Sequence, residues 1–181
     1  MENYKEINKA QWNQRVEPHL ESEFYDMQGF LAGKNSLNDT ELNLLGSVSG
    51  KRILHLQCHF GQDTISLARM GASTVGADIS DQAIDKARDL ARTLNADATF
   101  VCCDLFDLPQ HLEGQFDLVY TSYGTIGWLP DLDRWAAVIH HFLKPGGKFV
   151  FVEFHPVVWM FDDDFQQVGY RYFKSEPIVE T

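Results

Sequence analysis

A short apolar run, Ile53-Leu54-His55-Leu56, breaks off at Gln57-Cys58-His59-Phe60-Gly61, and a helix-like stretch begins at once. That stretch is Gln62-Asp63-Thr64-Ile65-Ser66-Leu67-Ala68-Arg69-Met70, and Gly71 stops it. Strand, tight turn and helix in this order open a βαβ unit. In open α/β sheets ligands sit beyond the carboxyl ends of the strands, in the crevice where strand order reverses. A ligand is therefore expected over residues 57–61, which frames every other candidate in the chain.

The alternation continues downstream. Strands are expected at 51–56, 74–77, 99–103, 116–121 and 148–154. Ser80 should cap a helix carrying Ala83, Ile84, Ala87, Leu90, Ala91 and Leu94 on one face. Another helix is expected over 131–143, with Leu132, Trp135, Val138, Ile139 and Phe142 inward and Lys144-Pro145-Gly146-Gly147 ending it. The last strand reads as the near-continuous apolar run of a sheet covered on both faces. The fold class implied is α/β, a doubly wound parallel sheet.

The flanks are different. In residues 1–50, Trp12, Val16, Leu20 and Phe24 recur at helical spacing, but Pro18 argues against one continuous helix. Residues 29–34 look like a loop, and Asn38-Asp39-Thr40-Glu41 resembles a capping box before a short helix that Gly46 ends. Residues 157–181 form an aromatic tail around Asp162-Asp163-Asp164, with a possible strand at 169–174. Three regions follow: an N-terminal helical segment 1–50, a core 51–156 and a C-terminal part 157–181.

Composition excludes several function classes. Lys+Arg is 15 against Asp+Glu 26, a net charge of −11, and no basic run occurs. Nucleic acid and anionic membranes are bound largely through cationic contacts, so neither is an expected partner. No apolar stretch approaches the roughly 18 residues of a membrane span. The start, Met1-Glu2-Asn3-Tyr4-Lys5-Glu6, is too polar for a secretory signal. Cys58, Cys102 and Cys103 form no C-x-x-C pair, so neither zinc nor a disulfide framework is expected, and a reducing cytoplasmic setting is the simpler reading.

Two acids end strands. Asp78 follows Gly61 by 17 residues, where a carboxylate typically accepts from ribose hydroxyls. Asp104, followed by Leu105 and Phe106, can accept from an adenine amino group while apolar neighbours pack on the ring. A dinucleotide would need G-x-G-x-x-G. This turn has one glycine, and Asp63 would place negative charge where a phosphate would sit. An adenosyl ligand without phosphates suits it better than NAD or FAD.

The succession of residues 53–61, Gly76-Ala77-Asp78, Cys103-Asp104-Leu105, Phe116-Asp117-Leu118-Val119 and Leu143-Lys144-Pro145-Gly146-Gly147 resembles the class I S-adenosylmethionine-dependent methyltransferases of small-molecule type, over about residues 50–156. The resemblance implies a Rossmann-like methyltransferase fold, S-adenosylmethionine as cofactor and a small-molecule acceptor. It implies that Asp78 holds the ribose and Asp104 the adenine N6. Gln57, His59, Gly61, Ile79, Leu105, Thr121 and Tyr123 complete the expected cofactor-binding set. The family usually has an acid at the position of His55 and glycines at those of Gln57 and His59. Here Gln57 and His59 either bond the methionine carboxylate or amino group, or block the pocket.

Further candidates have two readings each. His55 is a core histidine or a ligand. Tyr123 and Trp128 line the floor between cofactor and acceptor, or belong to the core. Glu153 sits at the ligand edge, and His155 is a candidate general base or an ordinary turn residue before Pro156. In similar proteins the N-terminal segment, which here carries Trp12, Tyr25 and Lys34, folds over the cofactor as a lid; Tyr25 or Lys34 then touches the cofactor or packs at the surface. The competing functions are a non-catalytic adenosyl-binding domain and a nicotinamide-dependent oxidoreductase. A monomer or homodimer is expected. The family sheet has seven strands where five are counted here, so the expectation is a truncated chain or one stopping at a disordered loop. The fifth strand would then be an apolar edge that needs cover.

Overall fold

The computed structural model describes residues 4–162 and 164–173. Five parallel strands form one sheet in the order β3-β2-β1-β4-β5: β1 Arg52–Leu56, β2 Ser73–Asp78, β3 Ala98–Cys102, β4 Phe116–Ser122 and β5 Leu143–Val152. The order reverses between β1 and β4, where Ile53 pairs with Leu118 and His55 with Tyr120. Helices cover both faces: α1 Tyr4–Glu21, α2 Met27–Leu31, α3 Asp39–Leu45, α4 Gln62–Arg69, α5 Asp81–Leu94 and α6 Leu132–Phe142.

The pleat explains the two cores. Along β1, Leu54 and Leu56 pack with Phe116, Val138 and Phe142 on the α6 face. Ile53, on the opposite face, packs with Leu45, Leu67 and Leu118. Beside that second core, Phe100, Ile84, Ala87 and Ile65 close around Val16 and Phe30. Burying a side chain such as Ile84 contributes about 1.5–3 kcal/mol, which is why the apolar stripe of α5 fixes its orientation. Ser80 caps α5 as expected, its hydroxyl accepting from the Ala83 N–H at 3.0 Å.

Several expectations need correction. α1 runs through Pro18, which falls in its last turn, so the missing N–H removes a bond only near the helix end. Of the loop expected over residues 29–34, residues 29–31 belong to helix α2, because Asp26 caps it by accepting from Gly29 N–H at 3.0 Å. Asn38 makes no side-chain cap on α3; its amide donates to Glu41 instead. Leu132 is 49% exposed and not inward. Strand β3 begins and ends one residue earlier than expected. Strand β5 starts at Leu143: Phe116 pairs with Leu143 and Leu118 with Lys148, so residues 144–147 bulge from the edge. Only Val150 of β5 is buried, as befits an edge strand.

Beyond β5, Phe161 and Val168 form an isolated antiparallel bridge. No strand forms over 169–173, and Asp163 and Lys174 lie outside the described residues. Trp159, Phe165 and Phe173 are exposed. Among the described residues no helix is long and apolar enough to cross a membrane.

Candidate functional site

The carboxyl ends of β1, β2, β3 and β4 open into a cavity of about 330 Å³. The turn after β1 forms its floor. Gly61 has φ 78°, and a Cβ there would lie 2.6 Å from the Phe100 ring and 3.0 Å from Ala87 Cβ. Only glycine satisfies both the conformation and the space. Gln57 and His59 also take left-handed backbone, at φ 55° and 50°. Such residues cost about 1–3 kcal/mol each and persist only where the surroundings over-determine them. Here the determinants are visible. Gln57 Nε2 donates to the Thr125 carbonyl at 2.9 Å, and His59 N–H donates to Asp78 Oδ2 at 2.8 Å.

Asp78 lies at the carboxyl end of β2 and is 8% exposed. Its Oδ1 accepts from Ser80 N–H at 2.8 Å. Burial raises its carboxyl above the ordinary range, and the backbone donors at Ser80, His59 and Ile79 pull it back down. Asp104 stands beyond β3. Its Oδ1 accepts from Phe106 N–H at 3.0 Å, and its Oδ2 accepts from the Tyr4 hydroxyl at 3.0 Å. Ile79 and Leu105 line the same wall. The expected adenosine side is thus one contiguous surface over β2 and β3.

Helix α1 lies across this edge. Tyr4, Asn8 and Trp12 line the cavity from it, and Lys5 reaches Asp104 at 3.4 Å and Asp107 at 2.5 Å. Farther along, His19 Nδ1 meets His59 Nε2 at 3.0 Å. Burial pushes His59 down to about 3, so its ring is neutral, and burial lowers His19 too. With one proton shared along that contact, His59 Nδ1 is left as either donor or acceptor. It is buried and has no partner, as is Gln57 Oε1. Trp12 packs against His59 at 5.3 Å and Trp128 at 5.5 Å, while His19 stacks on Tyr25 at 5.0 Å.

On the β4 side, Tyr123 lines the cavity at φ 42°. Burial, then the neighbouring Glu41, pushes its phenol up to about 12. The loop after β4 is tied by Glu153: its carboxylate accepts from Gly124 N–H at 2.5 Å and Thr125 N–H at 2.7 Å. Glu153 is therefore a positioning residue for this wall. Asp63, in the first turn of α4, also lines the cavity. It accepts from Ser36 at 2.7 Å, Ser122 at 3.3 Å and Tyr120 at 3.4 Å, and burial raises its carboxyl.

The structure gathers Gln57, His59, Gly61, Asp78, Ile79, Asp104, Leu105 and Tyr123 around one cavity, with Trp12, Tyr25, Lys34 and Trp128 joining them. It separates two others. Thr121 is fully buried and donates to the Leu56 carbonyl at 3.1 Å, because its place in the pleat points it into the sheet layer. His155 is exposed, accepts from Val157 N–H at 3.3 Å and caps the turn Pro156–Met160, away from the cavity. His55 is a satisfied core histidine at the cavity base. Its Nδ1 is 2.8 Å from Thr64 Oγ1, and burial pushes it down to about 3. Sequence reasoning missed Tyr4, His19 and Glu41. Their places at the cavity depend on remote partners, Asp104 for Tyr4, His59 for His19 and Tyr123 for Glu41, and no local spacing signals them.

Comparison with known proteins finds a family and several relatives. Residues 53–147 match the family described as a methyltransferase domain. The chain is 37% identical over 134 residues to an uncharacterized methyltransferase of Synechocystis sp., covering 72% of this chain and 60% of that protein. It is 28% identical over 134 residues to the ubiquinone biosynthesis O-methyltransferase of Alkalilimnicola ehrlichii, covering 72% of this chain and 54% of that protein. An S-adenosylmethionine-dependent methyltransferase structure from Mesorhizobium loti superposes with TM-score 0.59 at 31% identity, covering 72% of this chain and 59% of that one. The chain thus spans at most about three fifths of the length of these relatives.

Proposed function

Because the chain belongs to the class I S-adenosylmethionine-dependent methyltransferases, we propose that its cavity binds S-adenosylmethionine and that the whole protein methylates a small-molecule acceptor. The observation that carries the binding site is the pair of unpartnered buried atoms, Gln57 Oε1 and His59 Nδ1, on a strained turn beside Asp78. Unpaired buried polar groups are costly unless a ligand completes them. Neutral His59 can accept from an ammonium or donate to a carboxylate, according to its tautomer, and Gln57 Oε1 accepts. Both suit an amino-acid tail.

The remaining residues take roles that follow from their chemistry. Asp78 accepts from His59 N–H on Oδ2 and from Ser80 N–H on Oδ1, and the several lone-pair sites of a carboxylate leave room for ribose hydroxyls. Asp104 would accept from the adenine amino group, with Ile79 and Leu105 against the ring. When bound, the cofactor supplies a methyl group on a sulfonium, which an acceptor takes by direct displacement. The aromatic wall of Trp12, Tyr25 and Tyr123 favours a cation. Helix α1 acts as a lid that keeps water out, since alignment and desolvation carry most of this chemistry. The reading needs no general base, and His155 is not assigned one. With its three cysteines free, the protein fits a cytoplasmic setting.

The test is calorimetric titration with S-adenosylhomocysteine, S-adenosylmethionine and NAD, then release of labelled methyl to acceptor pools. The reading expects micromolar binding of the two adenosyl compounds and none of NAD. Adenosyl binding without transfer to any acceptor would leave a binding domain instead.

A further inference from the structure

The side of the cavity over β4 carries acids that the cofactor reading does not use. Glu41, from α3, is 1% exposed, yet it lines the cavity. Its Oε1 accepts from Asn38 Nδ2 at 3.4 Å, a long contact, the Tyr123 phenol interacts with the same carboxylate, and its Oε2 is buried with no hydrogen-bond donor in bonding geometry. Asp63 supplies a second carboxylate on the same side, held by Ser36 and Ser122. Among the described residues no cation pairs with either acid, and Lys34 on the cavity wall is already bonded to Asp26 at 2.7 Å. A buried carboxylate with a free oxygen and no counter-charge is costly by itself, and an entering cation relieves it.

Topology separates this acid from the adenosine wall. Asp78 ends β2 and Asp104 lies just beyond β3, on one side of β1, whereas Ser122 ends β4 and Tyr123 follows it, on the other. Glu41 lies against Tyr123. The unpartnered atoms suited to the cofactor's amino-acid tail are on the turn between the two sides. We propose that Glu41 anchors a cationic nitrogen of the methyl acceptor, so that the acceptor is an amine-bearing small molecule. The inference rests on the methyltransferase reading and deepens it. The subsite fixes the acceptor's charge, not the atom that takes the methyl group.

The experiment uses the whole chain saturated with S-adenosylhomocysteine, so that no turnover occurs. Phenethylamine is titrated by calorimetry beside two near-isosteres, neutral 2-phenylethanol and anionic phenylacetate. The amine is expected to bind at least tenfold more tightly than the alcohol, and the anion most weakly. Glu41→Gln should abolish that preference while leaving S-adenosylhomocysteine affinity within threefold. Glu41→Asp, which keeps the charge on a shorter stem, should retain part of it, and circular dichroism confirms that both variants fold. Equal binding of amine and alcohol by the unaltered chain overturns the proposal. So does a tenfold loss of S-adenosylhomocysteine affinity in Glu41→Gln, which would give Glu41 to the cofactor's own ammonium. Failure of the unaltered chain to bind S-adenosylhomocysteine is a separate result and removes the methyltransferase reading first.

Discussion

On the β2–β3 flank of the cleft, each acid is held by backbone N–H groups close to it. Asp78 accepts from Ser80 and from His59 on the adjacent turn, and Asp104 accepts from Phe106 two residues on, with the Tyr4 hydroxyl and Lys5 of α1 added to it. On the β4 flank the acids are held by side chains from remote segments, or left partly free. Asp63 takes Ser36, Ser122 and Tyr120, and Glu41 keeps an oxygen without a partner. Backbone donors cannot turn away, whereas hydroxyls can rotate toward whatever enters. One flank is built to hold a fixed ligand, and the other can adjust.

The largest effect expected from this contrast is at Asp78. Asp78→Ala orphans two backbone donors and removes the proposed ribose acceptors. Hydrogen bonds to charged groups contribute about 1.5–3 kcal/mol each, so S-adenosylhomocysteine affinity should fall about 100-fold. Denaturant unfolding should also show a loss of about 2–4 kcal/mol. Asp63→Ala is the control from the other flank. Its partners are hydroxyls that can reorient, and the expected loss is nearer ~1 kcal/mol. Equal losses at the two positions would break the distinction.

The same contrast explains what could be read from the chain alone. Strand-end acids, the Ser80 cap and the alternation of β1 are local patterns, so the sheet and the β2–β3 flank were legible. Glu41 looks like part of a capping box, and nothing nearby in sequence places its carboxylate beside Tyr123. Tyr4 lies 100 positions from Asp104. Thr121 was misplaced because the end of a strand is visible in sequence, but which face its last residues present depends on register. Pro18 misled because its cost depends on its distance from the helix end, which only the finished helix reveals.

Glu153 could blur the comparison. It lies on the β4 flank, yet it gathers backbone donors from Gly124, Thr125, Ile126 and Phe154. Glu153→Gln keeps the shape but loses the charge and one acceptor oxygen. A loss of about 2 kcal/mol in unfolding free energy is expected. Cofactor affinity should fall a few fold, because Gln57 is tethered to the Thr125 carbonyl. If stability is unchanged, the β4 flank is looser than its hydrogen bonds suggest.

Where the flanks meet, burial holds His55 near 3, against an ordinary value of 6.5. The unfolded chain therefore takes up a proton first as pH falls. The stability this group contributes is complete above 6.5 and is lost progressively toward 3, at about 1.4 kcal/mol per pH unit. Asp63 and Asp78, both raised by burial, work the other way: their folded forms retain protons longer, and that stability is lost as pH rises. His55→Gln cannot charge and separates the two contributions. Between pH 7 and 5 its melting temperature should decline less steeply than that of the unaltered chain.

The smallest expected effect is at Tyr4, and it decides whether the β2–β3 flank is complete without a ligand. The Tyr4 hydroxyl donates to Asp104 Oδ2, while Oδ1 is taken by Phe106 N–H and approached by Lys5. Burial, reinforced by Asp104, pushes this phenol up to about 12, so it remains a donor at neutral pH. An adenine amino group seeking Oδ2 must either displace the phenol or share the oxygen with it. Displacement means that the Tyr4 hydroxyl and the cofactor compete for one oxygen, so Tyr4→Phe should raise S-adenosylhomocysteine affinity about 3–10-fold, the equivalent of one modest hydrogen bond. The variant should also unfold more readily without ligand. Sharing means that the second lone pair of Oδ2 suffices, and affinity should stay level or fall slightly. Displacement is the expected outcome, because α1 packs over the same edge that the adenine would approach. A calorimetric comparison of the two chains at one pH separates the alternatives.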